Sequence, residues 1–338
     1  MMKIVISHKS ALEYWRLHRN MKISDFKRQR RKSLPKSIPH IAVIRNLLPS
    51  GLSYPINMMI SEQSVKRTTS TVKSRVYTGP TPEGCFISLN SGLTVCAPPF
   101  CFFQMAVELP LIKLIELGLE FCGSYSKPAF IEYDYVIENE SEDVDSNNSE
   151  HKQSAEHPQL FGHPQLTNIK AIKAFAANME GVGGHKKVCR ALRYMADGSA
   201  SPMETILYML LILPYKLGGY GLPAPELNKR IDLRPKSKRG SGKSYYVCDL
   251  FWPEANLAVE YDSDFYHTGA DRIASDARKR QNLDSIGIKV ITVTSRQIRN
   301  INEFDIVTKQ IAEKLNKRVR YNRTQFDTAR RELRGLLL

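Results

Sequence analysis

The sequence predicts an α/β protein, and three observations carry that expectation. From about residue 166 onward the hydrophobic periodicities run helix, strand, strand, helix, strand, helix, the mixed order of an α/β unit. The first 130 residues combine short β-like pieces with a long helical stretch, as an α+β domain does. A composition of 42% hydrophobic and 25% charged residues is that of an ordinary globular protein, which excludes collagen, coiled coil and a wholly disordered chain. At about 150 residues per domain, 338 residues predict two domains. The longest apolar run, Ile206 to Leu213, stops at Pro214 and falls well short of the ~20 residues of a spanning helix. Met1 to Trp15 carries Lys3, His8, Lys9 and Glu13 with no apolar block before a small-residue cleavage site, so a cytoplasmic protein without a membrane partner is expected.

Charge refines the organisation. Lys and Arg number 49 against 34 Asp and Glu, a formal net charge of +15. By segment it is +11 over 1–130, −8 over 131–160, +4 over 161–200 and +8 over 201–338, so two basic blocks flank an acidic one. Basic surfaces attract polyanions, nucleic acid foremost, although a solvated basic surface also serves solubility alone. The six cysteines (85, 96, 101, 122, 189 and 248) contain no C-x-x-C pair and read as core residues of a protein in a reducing compartment.

The elements follow in order. Residues 1–130 form the basic first domain. Its densest basic run, Lys27 to Lys32 with Lys22 and Lys36, is a phosphate contact or an exposed loop. Strands are predicted at Ile56–Ile60, Arg75–Thr78, Cys85–Leu89 and Leu93–Cys96. After Pro98-Pro99, one helical stretch is predicted over Phe102–Phe121 despite Pro110. Residues 131–165 hold a linker, with nine acidic residues between Glu132 and Glu156 and too little apolar surface to fold. Its duplicated His-Pro-Gln-Leu (157–160 and 163–166) is incidental and not a metal motif.

Residues 166–338 form the second domain. Helices are predicted at Asn168–Met179, His185–Met195 and Met203–Leu213, then strands at Ser244–Phe251, Leu257–Asp262 and Lys289–Thr294. A charged helix, about Asp271–Ile286, separates the last two strands. A helix from Glu303 to about Lys317 and a basic helical tail complete the chain. Gly240-Ser241-Gly242-Lys243-Ser244 looks like the end of a phosphate-binding loop. That motif needs a Gly at 237, where Ser237 stands, and it opens a helix rather than a strand, so no nucleotide cofactor is expected.

The chemistry concentrates in one hairpin. Tyr245–Trp252 and Asn256–Asp262 are β-rich runs joined by Pro253-Glu254-Ala255. Asp249 lies four residues before that turn and Glu260 five after it, so the two carboxylates fall near one another on adjacent strands. Alternation puts Asp262 on the face of Glu260. Asp264 and His267 follow. Carboxylates gathered on a buried hairpin repel unless a cation or a proton intervenes, and an all-oxygen set favours Mg²⁺ or Mn²⁺.

Asp249, Glu260-x-Asp262 and His267 together resemble the metal-dependent PD-(D/E)XK nuclease superfamily, nearest its branch related to the very-short-patch repair endonuclease. Glu204, in the Ser201-Pro202-Met203-Glu204 helix start, Asp276 and Arg280, and Ile286-Gly287-Ile288-Lys289-Val290 fit the same pattern, which covers roughly residues 195–315. The resemblance implies a restriction-endonuclease-like domain with a central mixed β-sheet flanked by helices, and hydrolysis of DNA phosphodiesters. In it Asp249 and Glu260 would hold Mg²⁺ or Mn²⁺, and Asp262 would be a third ligand or orient the attacking water. His267 would act as general acid/base or touch a phosphate, Glu204 would add a further carboxylate, and Arg278, Lys279 and Arg280 would bind the DNA backbone. The superfamily's usual Lys two residues after the Glu is Asp262 here; an acidic residue is common there in the named branch, and His267, Lys279 or Arg280 is left to replace the Lys.

Plainer readings stand beside these. Ser201, Pro202 and Glu204 make a helix start by capping alone, and Asp276 with Arg280 is an i,i+4 ion pair. Ile6 to Trp15 and the strand–proline–helix stretch to Gly123 faintly resemble AbiEi-type antitoxins of abortive-infection toxin–antitoxin systems, whose setting admits a homodimer or a partner toxin. The alternative to a nuclease is therefore a non-catalytic DNA-binding regulator that keeps a nuclease-like fold; an RNA-directed nuclease ranks behind both.

Overall fold

In a computed structural model, residues 4–21, 34–89, 92–128, 161–233, 244–262, 270–319 and 324–338 are described, with the backbone of Arg28–Gln29. The fold is α/β: eleven helices and two mixed sheets among the described residues. The first half contains β1 (Ile4–Ile6), α1 (His8–Leu17), β2 (Arg28–Gln29), α2 (Ile41–Leu47), β3 (Ile56–Ile60), β4 (Val72–Val76), β5 (Phe86–Ser88), β6 (Leu93–Cys96), α3 (Pro98–Glu108) and α4 (Leu111–Phe121). Its strands lie in the order β2-β5-β6-β1-β3-β4. The wholly buried β6 and β1 fill the middle, with the equally buried β3 beside them, and α1 lies against β3 and α3. Trp15 anchors α1: it is fully buried and its Nε1 donates to the Cys96 carbonyl at 2.9 Å.

Two expectations for this half are corrected. The strand predicted at Arg75–Thr78 is β4, Val72–Val76, held by parallel pairing from Ile56↔Val72 to Ile60↔Val76. The single helix predicted over Phe102–Phe121 is two helices. Leu109 turns extended (ψ 144°) before Pro110, as the residue preceding a proline prefers, and Pro110 opens α4.

The second half contains α5 (Ile169–Ala177), α6 (His185–Ala191), α7 (Pro202–Ile212), β7 (Glu226–Asp232), β8 (Tyr245–Trp252), β9 (Leu257–Asp262), α8 (Ala270–Ser285), β10 (Lys289–Thr294), α9 (Ser295–Arg299), α10 (Ile301–Lys314) and α11 (Thr324–Leu337). The sheet order is β10-β9-β8-β7, with β10 parallel to β9 and the other pairs antiparallel. Helix α7 covers one face, and α8 the other through Leu283. The sequence did not announce β7, because Glu226–Asp232 is polar and forms an outer strand whose Leu227 alone is buried.

The halves share one buried cluster that runs from Ile4 to Leu337. Helices α5 and α6 lie on α3, α6 and α7 lie on α4, and α11 also reaches α4. Gly118 permits the approach, since a Cβ there would collide with the side chain of Met195. The second His-Pro-Gln-Leu copy is structural: His163 is buried and its Nδ1 hydrogen-bonds with Asn20 Oδ1 at 2.6 Å. The first copy, the Lys27–Lys32 side chains, most of the acidic segment, and Gly240–Lys243 lie outside the described residues. Among the described residues no helix is long and apolar enough to cross a membrane.

Candidate active site

A break in strand regularity makes the site. Leu227, Leu250, Trp252, Leu257 and Val259 belong to the large cluster under α7, whereas Leu233, Tyr246, Cys248, Phe251 and Ala258 belong to the smaller one under α8. Along β8 the residues facing α8 thus change from even (246, 248) to odd (251), and the change falls at Asp249. The β7–β8 ladder omits the same point, passing from Leu227↔Leu250 to Lys229↔Cys248. The residue skipped on β7 is Asn228, in the left-handed region at φ 47°, a conformation that asparagine tolerates better than most side chains.

The β8–β9 ladder ends nearby, at Leu250↔Val259. One step further along that register Asp249 stands opposite Glu260. A side chain takes over there from the backbone: the Tyr261 N–H donates to Asp249 Oδ2 at 2.8 Å. Into the gap between the diverging strands comes Lys279 of α8. Its Nζ donates to Glu260 Oε2 at 2.6 Å and to the Val247 carbonyl at 2.8 Å. The other Glu260 oxygen, Oε1, is buried with no hydrogen-bond partner among the described residues.

Glu204 approaches from the α7 side. The Glu204 N–H donates to Ser201 Oγ at 3.1 Å, the expected cap, and Pro202 opens the helix. The Glu204 carboxylate accepts from the Ala200 N–H at 3.0 Å and from Asn228 Nδ2 at 2.6 Å. Asn228 also donates to the Gly198 carbonyl at 3.0 Å, so this kinked residue ties β7 to the start of α7. Sequence reasoning missed Asn228, since nothing in a polar strand marks one asparagine as special.

Electrostatics binds the group together. Burial, and after it the charge of Asp249, pushes Glu260 up to about 7, against the opposing pull of Lys279. Burial also raises Asp249, with the Tyr261 N–H and Lys279 opposing it. Glu204 is raised by burial and then by Asp249, against hydrogen bonds that favour its charged form. Burial alone would depress Lys279, but Glu260 and Asp249 outweigh it and hold the ammonium above its usual range. Three raised carboxylic acids around one stabilised ammonium describe a site short of positive charge.

Of the predicted residues, the fold brings together Glu204, Asp249, Glu260 and Lys279. Asp262 ends β9 on the face of Glu260, opposite Thr294 of β10. His267 lies outside the described residues. Arg278 and Arg280 are exposed on α8, and Arg278 Nε donates back to the Ala274 carbonyl at 3.2 Å. The expected Asp276–Arg280 ion pair does not form, and Asp276 is exposed. Beside Lys279, a cleft of about 450 Å³ opens between Ser244–Val247 and the α8 segment from Ser275 to Lys279.

Among the described residues no three His, Cys, Asp or Glu side chains converge closely enough to hold a metal ion. Asp249 and Glu260 nevertheless fit a hard cation: both donors are oxygens, both carboxyls are raised, and Glu260 Oε1 is buried and unpartnered. Mg²⁺ commonly takes only one or two protein carboxylates and completes its shell with water and substrate phosphate, so a pair suffices.

No family profile and no solved structure matches the chain. Two proteins of Mycobacterium tuberculosis, the uncharacterized proteins MT2308 and Rv2248, are each 30% identical to it over 111 residues. The similarity spans 32% of this chain and 36% of each relative, about a third of either length.

Proposed function

We propose that this protein is a metal-dependent endonuclease that hydrolyses DNA phosphodiester bonds. One observation carries the reading: Lys279 reaches from α8 between two splayed strands to Glu260 Oε2, beside Asp249, and puts an ammonium group against the paired carboxylates of a site whose strand carries Asp262 instead of a Lys. Asp249 and Glu260 would hold Mg²⁺ or Mn²⁺, which when bound polarises the phosphate and acidifies a water. Lys279 fixes the Glu260 carboxylate and presents positive charge to the phosphoryl oxygens as charge develops there. Asn228 and the α7 cap hold Glu204 near Asp249, where its negative charge adds to the site's affinity for a cation. Arg278 and Arg280 lie on the exposed side of the same helix, available to the flanking phosphates. A net charge of +15 supports a polyanionic substrate.

A second reading, a DNA-binding regulator without catalysis, is favoured by the absence of a third converging ligand among the described residues. Plasmid nicking separates the two. Wild type is expected to nick with Mg²⁺ or Mn²⁺ and to stop in EDTA. Asp249→Asn and Glu260→Gln are each expected to lose at least a hundredfold in rate while keeping salt-sensitive DNA binding. Binding without nicking under every divalent cation tried would leave the regulator.

A further inference from the structure

We infer that the cleft between the start of α1 and strand β4 binds a small amine-bearing dicarboxylate, a molecule with one ammonium group and two carboxylates. The juxtaposition that carries it is a buried carboxylate with an unused oxygen in one cleft with two unused ammonium groups. Glu13 of α1 is 2% exposed and lines the cleft. Its Oε2 accepts from the Ser53 N–H at 3.0 Å, whereas Oε1 is buried with no hydrogen-bond partner among the described residues. Buried polar oxygens are nearly always paired, and a carboxylate oxygen left bare is costly, so a donor from a ligand fits there. Even Lys9, one helical turn before Glu13, makes no ion pair with it.

The rest of the lining calls for anions. Lys73 and Arg75 of β4 are two residues apart and share a sheet face, and Lys73 stands beside Asn57 of β3 in the register. Arg75 is held in place: its Nε donates to Asn57 Oδ1 at 3.0 Å, and its guanidinium pairs with Glu108 at the end of α3. Lys9 and Lys73 make no hydrogen bond or ion pair among the described residues. Burial, and then the charges of Arg75 and Lys73, push the neighbouring His8 down to about 3, so this corner of the fold is electropositive. Ser10 Oγ accepts from the Asn57 N–H at 2.9 Å, which leaves its hydroxyl hydrogen to donate. A simple anion would be repelled by Glu13 and a simple amine by Lys9 and Lys73; a molecule carrying both charges satisfies each. The lining sets Lys9, Lys73 and Arg75 against Glu13 and Glu108, an excess of one positive charge, which a second carboxylate on the ligand balances. At about 190 Å³ the cleft is smaller than the ~300–1,000 Å³ of sites for drug-sized molecules and suits one the size of an amino acid.

Calorimetric titration of the full chain, without DNA or divalent cations, tests the site. The probes are L-aspartate, succinate, which lacks the ammonium group, and β-alanine, which lacks the second carboxylate. Wild type is expected to bind L-aspartate about tenfold or more tighter than either of the others. Glu13→Gln keeps an oxygen for the Ser53 N–H and removes the charge. It is expected to weaken L-aspartate about tenfold and to strengthen succinate, a reversal that a folding defect does not produce. Lys73→Met is expected to weaken both dicarboxylates. Equal affinity for L-aspartate and succinate in wild type, no binding of any probe, or the same L-aspartate affinity in Glu13→Gln would overturn the site. The cleft shares no residue with Asp249, Glu260 or Lys279, so the nuclease reading is judged separately, by nicking.

Discussion

The most informative residues are the two facing carboxylates. Burial raises both carboxyls above their ordinary range, and the charge of Asp249 adds to the rise at Glu260. A carboxyl whose folded value is raised stabilises the fold fully only below its unfolded value, near 4.3 for Glu, and that stability is lost as pH rises through about 7. Without divalent cations the melting temperature is therefore expected to fall between pH 5 and pH 8. Asp249→Asn keeps an oxygen for the Tyr261 N–H and removes one charge. It is expected to stabilise by on the order of 1 kcal/mol at pH 8, about 2 °C in Tm, and to change little at pH 5. Equal shifts at both pH values in a thermal melt would show that the carboxylates do not repel. Mg²⁺ is expected to raise the wild-type Tm more at pH 8 than at pH 6, because the cation competes with the protons.

At the scale of elements, the kink shared by β7 and β8 positions the site. Asn228 supplies both the left-handed backbone and the donor to Glu204. Asn228→Ala removes the donor and strains the backbone, and is expected to cost about 2 kcal/mol in a denaturant titration. Asn228→Gly relieves the backbone alone and is expected to lie between Ala and wild type. The two faces of α8 have separate duties. Lys279 turns inward, so Lys279→Met is expected to slow nicking more than it weakens binding. Arg278 and Arg280 point outward, and replacing both by Ala is expected to reduce the salt slope of DNA binding by about 2 with little effect on the maximal nicking rate.

At the scale of the molecule, the buried cluster continues from β1 to α11 and joins the two sheets. Helices α3 and α4 have one side on the first sheet and the other on α5, α6 and α7. Calorimetry is accordingly expected to show one cooperative transition; two resolved transitions would mean that the halves unfold separately. A buried ion pair supports α4. Arg16 donates to both oxygens of Glu120, at 2.9 and 2.7 Å, and Glu120 is 1% exposed. Burial would raise Glu120, but Arg16 and then Lys127 hold it below its usual value. Arg16→Ala removes the largest compensation of that buried carboxylate, leaving Lys127 alone, and is expected to cost about 3 kcal/mol, measured as a lower denaturation midpoint.

The sequence by itself determined the α/β class, most elements of the second half, and the placement of Asp249 and Glu260 on a hairpin. Alternation and a short turn are local, and they leave few registers open. It also marked Lys279, without telling it from Arg278 and Arg280 beside it. The tertiary structure decided which of the three turns inward, because that depends on where β8 and β9 diverge. It decided the role of Asn228, whose contacts reach back to Gly198 and Glu204, 30 and 24 residues away. Strand β7 and the break between α3 and α4 went unread for different reasons. An outer polar strand lacks the apolar signature of a buried one, and a helical periodicity persists across a proline that interrupts the backbone. What lay within one element or one turn was legible in the sequence; what depended on distant segments meeting required the fold.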